Sequence, residues 1–183
     1  MKRVLWAITG SGDKIEEILE VASILNGIES VDVSCIVSQA GVEVLQWYNL
    51  NERIYEVFSD IKIEKTSNNP FVAGPLQIGY YDLLIVAPLT ANSAAKIAHG
   101  IADTLVTNAV AQTLKGGCTP VILFPVDQVL DDIDTVAPDG GVVRISPRGV
   151  DVDNVNILRT VENLHIVNGP KEILRKAGEW IQL

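Results

Sequence analysis

Cations, cysteines, histidines and long apolar runs are all scarce in this chain, and each shortage closes off a class of function. Lys and Arg number 14 against 23 Asp and Glu, a net charge of −9 over 183 residues. Nucleic acids are bound through basic patches that neutralise phosphates, so no nucleic-acid partner is expected. The same balance leaves room for local positive potential at a small phosphate site. Cys35 and Cys118 are the only cysteines. An iron–sulfur cluster usually takes four thiolates. Both cysteines read as buried packing residues rather than a disulfide, Cys35 in the run Val31 to Val37 and Cys118 beside Gly117 at a strand start. With His99 and His165 the only histidines, no metal site is expected. No apolar run approaches the roughly 20 residues that cross a bilayer. The segment Val4 to Ile8 after Lys2 and Arg3 is too short for a signal peptide. It reads as a first strand, and the expected location is cytoplasmic. No linker, repeat or low-complexity tract divides residues 1–183, so one domain is expected.

What is abundant is apolar sequence, 48% of the chain, punctuated by glycine and small polar residues. Residues 87–109 organise the rest. Leu83 to Ala87 reads as a buried strand. Pro88 is expected to end it, having no N–H for the ladder. Thr90, Asn92 and Ser93 follow as polar side chains within four residues. Asn92 or Ser93 is expected to cap the helix that the alanines begin. That helix is expected over 93–113, with Gly100 marking a kink or a close approach. Strand end, loop with donors and helix N-terminus form the edge where open α/β sheets hold ligands. Pro88, Leu89, Thr90, Ala91, Asn92 and Ser93 are therefore candidate cofactor contacts.

The N-terminus repeats the arrangement. Residues 3–9 are nearly all apolar, as in a central parallel strand. Thr9-Gly10-Ser11-Gly12-Asp13 turns the chain into a helix over 13–26, with Ile15, Ile18, Leu19, Ala22 and Leu25 at helical spacing and Gly27 as a stop. Strand, glycine loop and helix make a phosphate site by geometry, because free amides and the positive end of the dipole converge. Thr9, Gly10, Ser11 and Gly12 are candidates for it. An ordinary βα turn would look the same on this segment alone. The loop lacks both the dinucleotide fingerprint and the phosphate-loop lysine, which favours a mononucleotide.

Val31 to Val37 is a second strand, and Ser38-Gln39-Ala40-Gly41 opens a helix over about 42–48. Residues 51–80 are the least readable, with a helix over 52–58, a loop at 66–70, and an expected role in partner or substrate contacts. Thr119 to Val126 is another buried strand. A short strand over 141–146, a loop at Arg148 and Gly149, a helix over 153–163, a strand over 164–167 and a helix over 170–181 complete the chain. Arg148 reads as a surface residue and His99 as a packing or interface residue. The alternation predicts an α/β fold with a doubly wound parallel sheet, a Rossmann/flavodoxin-like three-layer sandwich.

Two adjoining blocks carry a family resemblance. Pro88-Leu89-Thr90-Ala91-Asn92-Ser93 resembles the Pro-Ala-Ser-Ala-Asn-Thr motif of the homo-oligomeric flavin-containing cysteine decarboxylase superfamily. Lys96-Ile97-Ala98-His99-Gly100-Ile101-Ala102-Asp103-Thr104-Leu105 is similar to its Lys-Ile-Ala-x-Gly-x-x-Asp-x-Leu pattern. The resemblance implies FMN as cofactor, a homo-oligomer that is a trimer or a multiple of trimers, and Ser38 as a second phosphate ligand. It fails where decarboxylation is carried out. The window Phe71 to Tyr80 holds no histidine where the decarboxylases have their catalytic one. Pro125-Val126-Asp127-Gln128 keeps only a proline and an amide of their Pro-x-Met-Asn motif, and their clamp cysteine has no counterpart. Flavin prenyltransferases have an arginine where Val126 stands. What is left resembles the archaeal FMN-only flavoproteins related to the acceptor component of dihydromethanopterin reductase. That likeness implies electron transfer from a ferredoxin-like donor to an iron–sulfur flavoprotein or reductase acceptor, with no catalytic side chain. Cysteine decarboxylation and flavin prenyl transfer are the alternatives, and a plain FMN-binding protein is the third.

Overall fold

A computed structural model describes residues 1–182. Six parallel strands form the central sheet in the order β3-β2-β1-β4-β5-β8. They are β1 (Lys2–Ile8), β2 (Val31–Val37), β3 (Asp60–Ile63), β4 (Leu83–Leu89), β5 (Val121–Pro125) and β8 (Leu164–Ile166). Between β5 and β8 the chain makes an antiparallel hairpin of β6 (Ile133–Val136) and β7 (Val142–Ile145). The helices are α1 (Ile15–Asn26), α2 (Gln39–Trp47), α3 (Asn51–Val57), α4 (Ala73–Gln77), α5 (Ala91–Ala98), α6 (Leu105–Gly116), α7 (Gly149–Leu158) and α8 (Pro170–Ile181). No described helix is long and apolar enough to cross a membrane.

Successive side chains of a strand point to opposite faces, and β1 shows the consequence. Val4, Trp6 and Ile8 join the layer packed under α1, α3 and α8, whereas Leu5 and Ala7 join the layer under α4, α5, α6 and α7. Both layers are dry, so the central strands need apolar residues at every position rather than at alternate ones.

From β1 the chain winds outward through β2 and β3, then returns to place β4 on the other side of β1. This reversal leaves a crevice at the carboxyl ends of β1 and β4, the topological switch point of an open sheet. Contrary to expectation, β4 does not end at Pro88 but runs to Leu89, with a register shift against β5 between Val86 and Leu89. A proline in a central strand is accommodated at such an irregularity. One side chain of β1 and one just after it reach the carbonyls at this irregularity. Trp6 Nε1 donates to Ala87 O at 2.8 Å, and Thr9 Oγ1 donates to Pro88 O at 2.8 Å.

The expected single helix over 93–113 is two helices. Gly100 has φ +71° and ends the first turn sequence, and α6 restarts from a reciprocal capping box of Thr104 and Thr107. The cap of α5 is Thr90, whose Oγ1 accepts from Ser93 N at 3.2 Å, rather than Asn92 or Ser93. Cys35 is buried as expected, whereas Cys118 is exposed. The strand β3, the short helix α4 and the strand β6 are additions that sequence periodicity did not indicate.

Candidate functional site

Three loops meet at the switch point, each held there by a different interaction. The β1 loop (residues 9–12) is tied to the β4 loop through Thr9, whose amide donates to Pro88 O at 3.2 Å. Thr9 Oγ1, besides donating to Pro88 O, accepts from Thr90 N at 2.9 Å. The β2 loop is drawn in by close packing. A Cβ on Gly10 would come within 2.6 Å of Ala40 Cβ, and one on Gly12 would collide with the Tyr48 ring. The glycines are thus required by neighbouring protein as well as by any ligand. Ser38 N donates to Ile8 O at 3.0 Å, and its Oγ accepts from Gly41 N at 3.0 Å, so Ser38 caps α2 beside the β1 loop.

Glu64 fixes the two helices that flank this edge. Its carboxylate accepts from Gln39 N at 3.1 Å and from Leu105 N at 2.7 Å. A buried anion at two helix N-termini meets both positive dipole ends and satisfies two amides that have no intrahelical partner. It also takes the first amide of α2, leaving fewer donors at that helix for a ligand.

The cleft between these loops has a volume of ≈ 290 Å³ and is lined by Gly10, Ser11, Gly12, Thr90 and Ala91 together with Tyr48, Val126, Asp127, Thr135 and Ile145. A larger space of ≈ 540 Å³ shares Gly12, Asp13, Tyr48 and Thr135 with it and runs between the head of α1 and the β6–β7 hairpin. The hairpin is anchored over the cleft by Tyr48 Oη, which donates to Val136 O at 2.7 Å.

The residues expected at the site therefore divide. Gly10, Ser11, Gly12, Thr90 and Ala91 line the cleft. Thr9, Pro88, Leu89 and Ser93 are buried beneath it and build its floor. Ser38 lies just under the surface at the head of α2, and Asn92 is exposed on the first turn of α5. Missing from the expectation were Tyr48, Asp127 and the hairpin residues Thr135 and Ile145. Asp127 adjoins the Pro125 motif, which was a usable signal. Of the hairpin, the strand expected over 141–146 is β7, but nothing in the sequence signalled its place over the cleft or its partner β6, because both strands are four residues long and largely exposed.

The donors suit a phosphate ester. The amides of Gly10 and Gly12 have no protein acceptor among the described residues, and of the first amides of α5 those of Ala91 and Asn92 are free whereas Ser93 N is capped by Thr90. Ser11 Oγ accepts from Asp13 N at 3.3 Å and keeps its own proton to give. Acidic groups oppose them. Glu16 and Glu17 stand in the first turn of α1. Burial and then the charges of Asp151 and Asp13 push the Asp127 carboxyl up from its usual range. Tyr48 is also raised, by burial first and Asp13 second. Neither histidine lines the cleft. His99 Nε2 lies 3.0 Å from Asn154 Oδ1 between α5 and α7, and His165 packs edge-on against Trp180. Arg148 is exposed as expected, but it holds the buried Asp151.

A doubly wound sheet with phosphate-type donors at its switch point defines a nucleotide- or flavin-class binding fold. The comparisons narrow the class: the family described as Flavoprotein matches residues 1–175, and the chain belongs to it. An uncharacterised protein of Methanocaldococcus jannaschii is 41% identical over 94% of this chain and 92% of its own length. The dihydromethanopterin reductase (acceptor) of the same organism is 37% identical over 74% of this chain, a match spanning 58% of that reductase. The crystal structure of Burkholderia xenovorans DmrB with FMN, described as a cubic protein cage for redox transfer, superposes with a TM-score of 0.80. It is 32% identical, with 99% of this chain and 96% of that one covered.

Proposed function

We propose that the protein is an FMN-loaded electron carrier that accepts electrons from a low-potential, ferredoxin-like donor and passes them to a partner flavoprotein or reductase. It works as a homo-oligomer, a trimer or a multiple of trimers. The observation that carries this reading is the make-up of the cleft. It offers backbone amides, small hydroxyls, a phenol and two carboxyls, Asp13 and Asp127, and no histidine. The family's decarboxylases use a histidine near the flavin to deprotonate the thiol and an amide to hold the carboxylate. Here the amide at that second position is already bound: Gln128 Nε2 donates to Pro125 O at 2.8 Å and to Val167 O at 2.7 Å, and its Oε1 accepts from Arg159. It ties β5 to β8 instead.

When bound, FMN supplies the electron-accepting chemistry. The protein's part is to hold it. The amides of Gly10 and Gly12 with the hydroxyls of Ser11 and Ser38 are suited to the phosphate. The free amides at the head of α5, with the side chain of Asn92, are suited to the ring edge, where hydrogen bonds tune the cofactor's electronics. The fold class of the FMN-bound relative and the length of its match support the same reading.

The test is anaerobic. Purified protein is expected to be yellow and to release FMN, not FAD, on heating. Its visible absorbance should bleach with a reduced ferredoxin and recover on adding a second flavoprotein. Absence of flavin after reconstitution, or carbon dioxide release from a peptidyl cysteine faster than with free FMN, would overturn the reading.

A further inference from the structure

Asp127 follows β5 at the carboxyl edge and is half-buried in the wall of the cleft formed by Gly10 to Gly12, Thr90 and Ala91. Asp13 at the head of α1 lines the same cleft, and the charges of Asp151 in α7 and of its cap residue Arg148 also act on the Asp127 carboxyl. Arg148 is the one cation among these, and it is engaged. Its Nε donates to Asp151 Oδ2 at 2.9 Å and its Nη2 to Asp151 Oδ1 at 2.7 Å. The other charged and phenolic side chains around the cleft form no bond to Asp127 among the described residues. Lys14 Nζ lies 5.9 Å from the centre of the Phe124 ring, Tyr48 Oη donates to Val136 O, and Arg144 and Asp134 pair within the hairpin. Asp127 therefore feels the charge of two carboxylates, with no counter-ion bonded to it, at a half-buried site.

An entering phosphate monoester adds about −1.5 to −2 charge at neutral pH. A like charge in a desolvated cleft favours the neutral form of a carboxyl. We propose that Asp127 is the proton-accepting group of the cleft, taking up one proton from solvent as FMN enters. The filled cleft then holds the cofactor's phosphate beside a neutral carboxyl rather than two anions. This inference rests on the flavin reading above. Affinity for FMN falls with rising pH between the pKa of Asp127 in the empty cleft and its higher value in the filled one. The limiting slope there is about tenfold per pH unit, the tenfold equilibrium change that one pKa unit represents. Below that window the group is already protonated, and above it no proton is taken up.

The experiment titrates flavin-free protein with FMN, following flavin fluorescence from acid to mildly alkaline pH. Wild type is expected to lose affinity as pH rises. Asp127→Asn should show a shallower profile and bind more tightly at the alkaline end, whereas Asp127→Glu should keep the wild-type slope. The phosphate's own titration is common to all three proteins and cancels in the comparison. Calorimetry of wild type and Asp127→Asn in buffers of different ionisation heat supplies a second reading, with greater proton uptake by wild type expected inside the window. Equal profiles for wild type and Asp127→Asn, or equal proton uptake by the two in calorimetry, would overturn the role of Asp127 and leave the redox reading standing. Failure of every variant and of wild type to bind FMN would overturn both.

Discussion

Thr9 is the residue on which the cleft depends most, although it contributes none of its surface. Its hydroxyl donates to one β4-loop backbone group and accepts from another. Thr9→Val keeps the shape and removes both bonds; Pro88 O keeps the Thr9 amide, whereas Thr90 N is left without its acceptor. A loss of about 1–3 kcal/mol of stability is expected from an unsatisfied buried group, read by urea unfolding, and FMN affinity should fall with it. The two serines should separate. Ser11→Ala weakens FMN binding with little effect on stability. Ser38→Ala removes a helix cap as well, at about 1 kcal/mol, so it should lower both affinity and melting temperature. Equal stability of the two serine variants would mean that the Ser38 cap contributes nothing.

The hydroxyls were legible as donors near a strand end, because Ser and Thr beside glycine mark such loops. Which of them meets the ligand was not. Thr9 and Ser93 resemble Ser11 in sequence, yet each answers a backbone group or a neighbouring hydroxyl that only the folded crevice brings near.

Among the elements, the helix N-termini of α2 and α6 share the carboxylate of Glu64, the residue that follows edge strand β3. Glu64→Ala removes two charge-assisted bonds at once. It should cost about 1.5–3 kcal/mol and reduce amide hydrogen-exchange protection first in the opening turns of those two helices. Protection lost uniformly across the sheet would contradict that role. At α7, the Arg148 partner holds the Asp151 carboxyl below the usual carboxylate range. Because the folded value is depressed, the pair's stabilisation is fully present above the ordinary Asp pKa of about 3.9 and is lost as pH falls through the folded value. Arg148→Ala should therefore lower the melting temperature at neutral pH, with the difference narrowing in acid. A gap that stays constant with pH would sink this account.

Long periodic elements were readable from the sequence. Val31–Val37 and Pro170–Ile181 have the bounds expected of them, since one sets apolar residues at Val31, Val33, Cys35, Ile36 and Val37 and the other follows a proline with apolar residues at helical spacing. The split between α5 and α6 was not readable. Apolar periodicity continues across it, and the break depends on a positive φ at Gly100 and on the Thr104–Thr107 box. Elements as short as β3 and α4 give too few residues for any period to emerge. Their positions come from contacts far along the chain, such as Glu64 with Leu105.

For the molecule as a whole, the acidic surface and the exposed apolar side chains make different demands. Phe71 and Ile78 flank α4 with 71% and 79% of their surface exposed, and Val142 of the hairpin has 70%. Burying such groups between subunits is favourable by roughly 25 cal/mol per Å², which supports the proposed self-association. Light scattering should give a mass that is a multiple of three protomers and holds on dilution. A monomer at all concentrations would count against it. Electron donors of the ferredoxin type are commonly acidic, so long-range attraction to a chain of net charge −9 is not available. Raising ionic strength should then speed reduction by such a donor, through screening of the repulsion. A rate that falls with salt would instead mean that a local basic patch steers docking.

The strand order has a consequence for how the protein comes into being. The Thr9 hydroxyl and its β4 partners are separated by 79 and 81 positions, and β1 has β2 on one flank and β4 on the other. An emerging chain can therefore pair β1 with β2 early, but its cofactor loop stays half-walled until the segment after Tyr81 has left the ribosome. Closing so large a loop is slow compared with forming the local helices. Cofactor loading thus belongs to the end of synthesis, and a flavin supplied in excess can act as a trap that commits late-formed molecules to the completed crevice.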